Sequence, residues 1–145
     1  MDNIVIAALL TAAIVAGTPI LFAALGELLA ERSGILNLGV EGMMLVGAVV
    51  GFIFTIKTGN HWYGFLAAMI SGGMTALIHA FISITLKGNQ VVSGLALTIF
   101  GTGTSGFLGK AYQGLPTSDP VTAIAIPFLS DIPILGRIFF NHDPL

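Results

Sequence analysis

The sequence is poor in charged residues and contains no cysteine, and each absence excludes a class of protein. Charged residues make up 8% of the chain, whereas a soluble domain carries about 25%, so the polar surface of a water-soluble fold is missing. The net charge of −2 argues against a nucleic-acid partner, which requires a basic face. Without cysteine the chain has no disulfide framework, no thiolate metal site and no redox centre.

Long hydrophobic runs take the place of charge. Apolar residues form 55% of the chain, and a helix that crosses a bilayer needs about 20 mostly apolar residues. Four windows meet this requirement: residues 4–25, 35–56, 63–86 and 91–108. These runs are too long for buried strands. The sequence therefore predicts an all-α, polytopic membrane bundle of about four transmembrane helices, some of them broken or kinked.

Proline and small residues indicate where these helices bend or meet. Pro19 removes a backbone donor and is expected to kink the first span or end its regular part. Gly47 and Gly51 form a small-xxx-small pair, which lets another helix approach closely. Small residues also fill much of the fourth window, which predicts packing against protein or a cavity: Gly94, Thr98, Gly101, Thr102, Ser105 and Gly106.

Residues 110–145 differ in character from the rest of the chain. They contain five of the six prolines and no uninterrupted apolar span. Because proline breaks helices and cannot donate to a strand ladder, this stretch is predicted to be a proline-rich loop outside the membrane. The loop would lead to a missing next span, so the chain is expected to be the N-terminal portion of a longer protein.

Two possible binding motifs, one for a dinucleotide and one for a metal ion, are rejected because the surrounding sequence does not fit them. "GTGTSG", residues 101–106, matches a dinucleotide fingerprint in letters, but no strand precedes it and it lies within an apolar span. The three histidines are scattered without metal-ligand spacing, and His79 is expected to be buried and hydrogen-bonded to a neighbouring helix. The sequence therefore predicts no catalytic residue, no metal and no cofactor in this chain.

Two polar stretches interrupt the apolar windows. The first is "GELLAERSGILNLGVEG", residues 26–42, where Asn37 and Glu41 would share a helix face if the helix began that early. An ionisable group within a span costs about 3 kcal/mol, so Glu41 is expected to face protein or water. It would either lie beside a translocation path, or belong to a structural hinge in which it caps backbone amides or pairs with Arg32.

The second stretch is "KGNQVVSGLAL", residues 87–97. Its Asn89, Gln90 and Ser93 are expected to hydrogen-bond the first stretch, because four spans bring both turns to the same side of the bundle. The candidate pathway residues are Asn37, Glu41, Asn89 and Ser93. The residues predicted to form a structural polar turn are Glu27, Glu31, Arg32 and Gln90.

The polar stretches also carry a family resemblance. "ERSGILNLGVEGMMLVGAVVGF" and "GNQVVSGLALTIFGTG", followed by "GLPTSDP", resemble the membrane permease subunits of bacterial ABC importers for simple sugars and nucleosides. The likeness is greatest to the nucleoside branch, whose partner is a basic membrane lipoprotein-type binding protein. It implies a multi-pass permease subunit in the plasma membrane that forms part of the path for a nucleoside or related simple-sugar solute.

The resemblance also implies partners and an orientation. A second permease subunit would complete the path, a cytoplasmic ATP-binding subunit would use ATP, and an extracytoplasmic solute-binding lipoprotein would deliver the solute. The N-terminus and the loop of residues 110–145 would then be extracytoplasmic. The charges of the short loops are balanced between the two sides and do not decide the orientation.

Two other functions fit the residues. The chain could be a structural or assembly membrane protein whose glycine-rich helices serve only to pack. It could also be an ion-coupled secondary transporter with Glu41 as proton carrier. The solute itself is not specified, because sugar and nucleoside pockets use the same few polar groups within apolar walls.

Overall fold

The structure, a computed structural model, describes residues 2–116, 124–125 and 141–142 of the chain. The chain divides into two compact units, Met1–Leu25 with Val121–Leu145, and Gly26–Pro120. The helices are α1 (Asp2–Arg32), α2 (Val40–Thr58), α3 (His61–Ala80) and α4 (Gln90–Gly109). A π-helical turn, Phe81–Thr85, follows α3, and a 3₁₀ turn, Lys110–Tyr112, follows α4.

The first unit contains the beginning of α1 and a short strand pair. Strands β1 (Ile124–Ala125) and β2 (Asn141–His142) pair antiparallel, with Ile124 opposite His142. Helix α1 runs through Pro19 without ending there, because a single missing donor removes only one bond from a long apolar helix. Most of the loop predicted for residues 110–145 lies outside the described residues.

Within the described residues, four helices are long and apolar enough to cross a membrane: Ala8–Arg32, Val40–Thr58, His61–Thr85 and Gln90–Tyr112. This confirms the predicted helical membrane fold. The second helix begins at Val40 and not at residue 35 as the hydropathy indicated, which changes the position of Glu41 as described below.

Helices α2 and α3 form a close hairpin. Gly59, with φ +66°, ends α2 in the left-handed conformation that glycine adopts without strain. Asn60 then caps α3, since its side chain accepts a 2.8 Å hydrogen bond from the amide of Trp62. Along the hairpin the small residues predicted to permit close approach do so: a Cβ on Gly51 would lie 3.0 Å from the carbonyl oxygen of Gly64.

Helix α4 packs against the start of α2 through glycine. A Cβ on Gly101 would collide with backbone atoms of Gly42, and one on Gly94 would lie 2.8 Å from the amide nitrogen of Leu38. The other side of α4 is open, since nothing lies within 4 Å of a Cβ placed on Gly103 or Gly106. The prediction that small residues mediate packing is therefore confirmed for one face of α4 only.

Apolar side chains are largely on the surface. Among the described residues the buried apolar core consists of Met43, Val46, Val49 and Leu97. Phe107 is 82% exposed and Ile99 is 75% exposed. Apolar surface of this extent is suited to lipid or to other helices and not to water.

Candidate functional site

The connection between α1 and α2 is an irregular segment, residues 33–39, called the connecting segment below. Helix α1 closes with the amide of Gly34 donating to the carbonyl of Glu31 at 2.9 Å, and Gly34 has a φ of +83°. This left-handed residue stops the helix, and α2 begins only at Val40. Glu41 therefore lies in the first turn of α2, and Asn37 precedes the helix, so the two do not share a helix face as the sequence had indicated.

Side chains from α1 and α4 bind the backbone of the connecting segment. The Glu27 carboxylate accepts a 2.9 Å hydrogen bond from the amide of Asn37 through Oε1. Gln90 Oε1 accepts from the amide of Leu36 at 2.7 Å, while its Nε2 donates to the carbonyl of Gly34 at 3.3 Å. The prediction that the two polar stretches hydrogen-bond each other is thus confirmed for Gln90.

Helix α3 contributes a buried histidine to the same segment. His79 is only 3% exposed, and its Nε2 lies 3.2 Å from the carbonyl oxygen of Leu36. Its Nδ1 lies 3.0 Å from Ser93 Oγ on α4, and Ser83 Oγ lies 3.4 Å from Nε2. The expectation of a buried, hydrogen-bonded His79 is confirmed, and Ser93 reaches the connecting segment through this ring.

Two more side chains complete the set. Thr98 of α4 donates its hydroxyl to the carbonyl of Leu38 at 2.9 Å. The Asn37 side chain accepts from the amide of Gly39 at 3.0 Å through Oδ1, and its Nδ2 lies 3.6 Å from the sulfur of Met43. Side chains therefore satisfy the backbone amides of residues 36, 37 and 39 and the carbonyls of residues 34, 36 and 38. Backbone that is neither helix nor strand needs such partners wherever water is excluded.

The predicted polar-turn residues have unequal roles. Glu27 and Gln90 hold the connecting segment, and the second oxygen of Glu27, Oε2, is buried without a hydrogen-bond partner among the described residues. Glu31 and Arg32 are exposed, and within the described residues neither side chain forms a hydrogen bond or an ion pair.

Two expectations for the pathway candidates are wrong. Glu41 is exposed in the first turn of α2 and, within the part of the chain that the structure describes, neither caps backbone amides nor pairs with Arg32. Asn89 does not bond the first polar stretch. Its Oδ1 accepts from the amide of Val92 at 3.1 Å and so caps α4.

Two contacts of the connecting segment were not predicted from the sequence: the bond from Thr98 to the carbonyl of Leu38 and the bond from His79 to the carbonyl of Leu36. Thr98 was noted for its small size and not for its hydroxyl. A signal existed in the spacing, because Gln90, Gly94, Leu97, Thr98 and Gly101 recur at helical intervals along one face of α4. The bond from His79 to a backbone carbonyl carries no sequence signal, since any residue supplies a carbonyl.

A separate groove of about 490 Å³ lies between α2 and α3. Its walls are apolar side chains such as Phe54, Ile70 and Met74, and the hydroxyls of Thr58 and Ser71 in it already donate to carbonyls of their own helices. A polar solute needs several convergent hydrogen-bonding groups, so this groove does not fit a sugar or nucleoside.

No group of side chains within the described residues could hold a metal ion.

The chain is similar to several permease proteins of ABC transporters. It is 48% identical over 138 residues to a protein of Haloferax volcanii provisionally named as a glucose ABC transporter permease. It is 35% identical over 147 residues to a guanosine ABC transporter permease protein of Bacillus subtilis, and 30% identical over 137 residues to a nucleoside ABC transporter permease protein of Lactococcus lactis.

These alignments cover 93%, 94% and 88% of this chain but 42%, 46% and 43% of the three relatives, respectively. The chain thus spans less than half the length of each. No solved structure matches it.

Residues 9–141 match the permease component of the branched-chain amino acid transport system. The match covers nearly the whole chain, including all of α2, α3 and α4, and the resemblance read from the two polar stretches is confirmed. The chain belongs to this family of transport permeases and, with its four candidate spans, is an integral membrane protein.

Proposed function

We propose that this chain is a portion of a permease subunit of an ATP-binding-cassette importer. It would form part of the translocation pathway for a nucleoside or a related simple-sugar solute across the plasma membrane. Relatives named for guanosine, nucleosides and glucose support this solute class. The observation that carries the proposal is the connecting segment, because side chains of α1, α3 and α4 hold its non-helical backbone between two candidate spans. Such an irregular entry to a helix is typical of the solute paths of transporters.

The energy for transport would come from other chains. This sequence has no phosphate-binding loop in a suitable context, so a cytoplasmic ATP-binding subunit would hydrolyse ATP. A second permease subunit would complete the path, and an extracytoplasmic solute-binding lipoprotein would deliver the solute. In this arrangement the connecting segment and the start of α4 lie on the cytoplasmic side, and the α2–α3 turn lies on the outer side.

The four pathway candidates form two groups, those whose side chains are hydrogen-bonded inside the protein and those whose side chains are exposed. Asn37 and Ser93 already use theirs on Gly39 and His79, so they would shape the path without contacting the solute directly. Glu41 and Asn89 are exposed, and Asn89 uses its Oδ1 on the amide of Val92. The carboxylate of Glu41 has no bond within the described residues, and it would accept hydrogen bonds from solute hydroxyl or amine groups.

Uptake by the complete transporter tests this function. The full-length permease, its ATP-binding subunit and its solute-binding lipoprotein are placed in membrane vesicles with labelled guanosine or glucose. We expect ATP-dependent uptake of at least one of the two, and no uptake in matched vesicles without the permease. Uptake that survives removal of ATP but stops when the proton gradient is dissipated would favour the ion-coupled alternative.

A structural or assembly role makes a different prediction. In that case the permease would affect the amount of neighbouring membrane proteins without affecting solute flux per transporter. Quantifying the other subunits in the same vesicles separates the two roles.

A further inference from the structure

His79 is a buried titratable side chain to which the proposed pathway gives no task. It lies in the last turn of α3 and touches two other parts of the second unit. Its Nε2 faces the carbonyl oxygen of Leu36 in the connecting segment, and its Nδ1 faces the hydroxyl of Ser93 in α4. A single ring therefore joins α3, α4 and the connecting segment.

The partner of Nε2 determines which ring nitrogen carries the hydrogen. A carbonyl oxygen can only accept, so Nε2 must donate to Leu36. In the neutral ring Nδ1 is then an acceptor, and the Ser93 hydroxyl donates to it across 3.0 Å. Ser83 Oγ, at 3.4 Å from Nε2, is at the limit of hydrogen-bond distance and can accept only a minor share of the same hydrogen.

The polar neighbours of His79 among the described residues are one carbonyl and two hydroxyls, none of them charged. Glu27 of α1, the acid that contacts the connecting segment, uses Oε1 on the amide of Asn37, and its Oε2 is buried without a hydrogen-bond partner among the described residues. Lys87, in the turn before α4, is exposed. Among the described residues no carboxylate contacts the ring.

We propose that His79 is a positioning residue of the permease, held by Ser93 as the Nε2-protonated tautomer so that it fixes the connecting segment through Leu36. Ser93 selects the tautomer, the ring holds Leu36, and Leu36 directly precedes the pathway candidate Asn37. The effect on transport rests on the function proposed above. The tautomer and the hold on the connecting segment do not depend on it, and they are measured without transport.

Nitrogen NMR on the full-length permease with labelled histidine tests the tautomer. The His79 signals are those lost in His79→Gln. We expect a protonated Nε2 and an unprotonated Nδ1. Ser93→Ala should shift the Nδ1 signal, whereas Ser71→Ala should not, because that hydroxyl bonds only carbonyls of its own helix. A ring protonated at Nδ1, or at both nitrogens, would overturn the assignment.

Cysteine labelling tests the hold on the connecting segment. These 145 residues contain no cysteine, so Ile35→Cys, half-buried in the connecting segment, reports local opening in a full-length background freed of other thiols. Losing the hydrogen bond from His79 to the carbonyl of Leu36 should raise the labelling rate about fivefold in His79→Ala. Ser93→Ala, a milder change, should raise it less. His61→Ala, at the opposite end of α3, should leave the rate unchanged.

Uptake by the same variants completes the test. We expect His79→Ala to lower the uptake rate and His79→Gln, whose amide can still donate to Leu36, to restore part of it. An unchanged labelling rate in His79→Ala, or faster labelling with unchanged uptake, would overturn the proposal. A wild-type complex that takes up no solute would instead count against the proposed function, since the tautomer and the labelling rates would still be measurable.

Discussion

Gly42 of α2 and Gly101 of α4 meet backbone to backbone, and a Cβ on either would collide with the other helix. This contact brings α4 against the start of α2, immediately after the connecting segment. The same face of α4 carries Gln90 and Thr98, which bind that segment. Close glycine packing and the polar contacts are therefore parts of one arrangement.

Enlarging this contact should destabilise the fold. Gly101→Ala is expected to cost about 1–3 kcal/mol, because the added methyl group forces the two backbones apart. Gly103→Ala is the matched control, since nothing lies within 4 Å of its Cβ position. It should be neutral or slightly stabilising through helix propensity. The fraction of full-length permease that stays folded on heating in detergent measures both, and equal effects of the two variants would contradict the packing described.

The close packing of α2 against α3 can be tested with one destabilising substitution and a second substitution that restores part of the stability. A Cβ on Gly64 would collide with the hydroxyl of Thr55 and lie 2.7 Å from the carbonyl oxygen of Gly51. Gly64→Ala should therefore be destabilising by about 1–3 kcal/mol, and adding Thr55→Ala should recover part of the loss by removing one of the two obstacles. Gly73→Ala, on the same helix with open space, is the control. If the double variant is no more heat-stable than Gly64→Ala alone, the collision with Thr55 is not the cause.

Gln90 should protect the backbone of the connecting segment from hydrogen exchange. Gln90→Leu removes the acceptor for the amide of Leu36 and the donor to the carbonyl of Gly34, at about 1 kcal/mol for each bond. Faster exchange should follow at residue 36, and Gln90→Glu, which keeps the acceptor, should retain more protection at that amide. Gln113→Leu, an exposed glutamine without a side-chain hydrogen bond among the described residues, should not change it. Equal exchange at residue 36 in all variants would disprove this role.

Asn89 should act through its cap on α4. Asn89→Ala removes the acceptor for the amide of Val92 and should cost about 1 kcal/mol of stability, whereas Asn89→Asp should keep the cap. If Asn89 serves only as a cap, Asn89→Asp will also keep uptake. Normal stability with lost uptake in Asn89→Asp would instead assign the side-chain amide to the solute path.

The hydropathy of the chain was sufficient to predict four helices and their approximate positions, because a span needs a long apolar run whatever surrounds it. The start of α2 was misplaced by five residues, since Ile35, Leu36 and Leu38 are apolar and read as helix although Gly34 and the side-chain contacts make the segment irregular. Hydropathy records burial and not backbone conformation.

The site was predicted only in part for a related reason. Gln90 and Leu36 are 54 residues apart. A contact between the two polar stretches was predicted from the shared side of their turns, but Leu36 as the partner of Gln90 was not. The cap formed by Asn89 is local, and its position before an apolar helix was itself a cap signal. His79 and Thr98 bind backbone carbonyls, and such partners depend on tertiary packing that a single sequence does not encode locally.

Labelling of Glu41→Cys in the complete transporter tests most directly whether the segment around the start of α2 belongs to the solute path. The variant is placed in a thiol-free full-length permease, and Glu31→Cys, equally exposed but on α1, serves as the control. We predict that a thiol reagent reacts at position 41 and that transported solute together with ATP changes the rate there but not at position 31. A rate at position 41 that stays the same with solute and ATP, in a complex that transports normally, would contradict the assignment of Glu41 to the path.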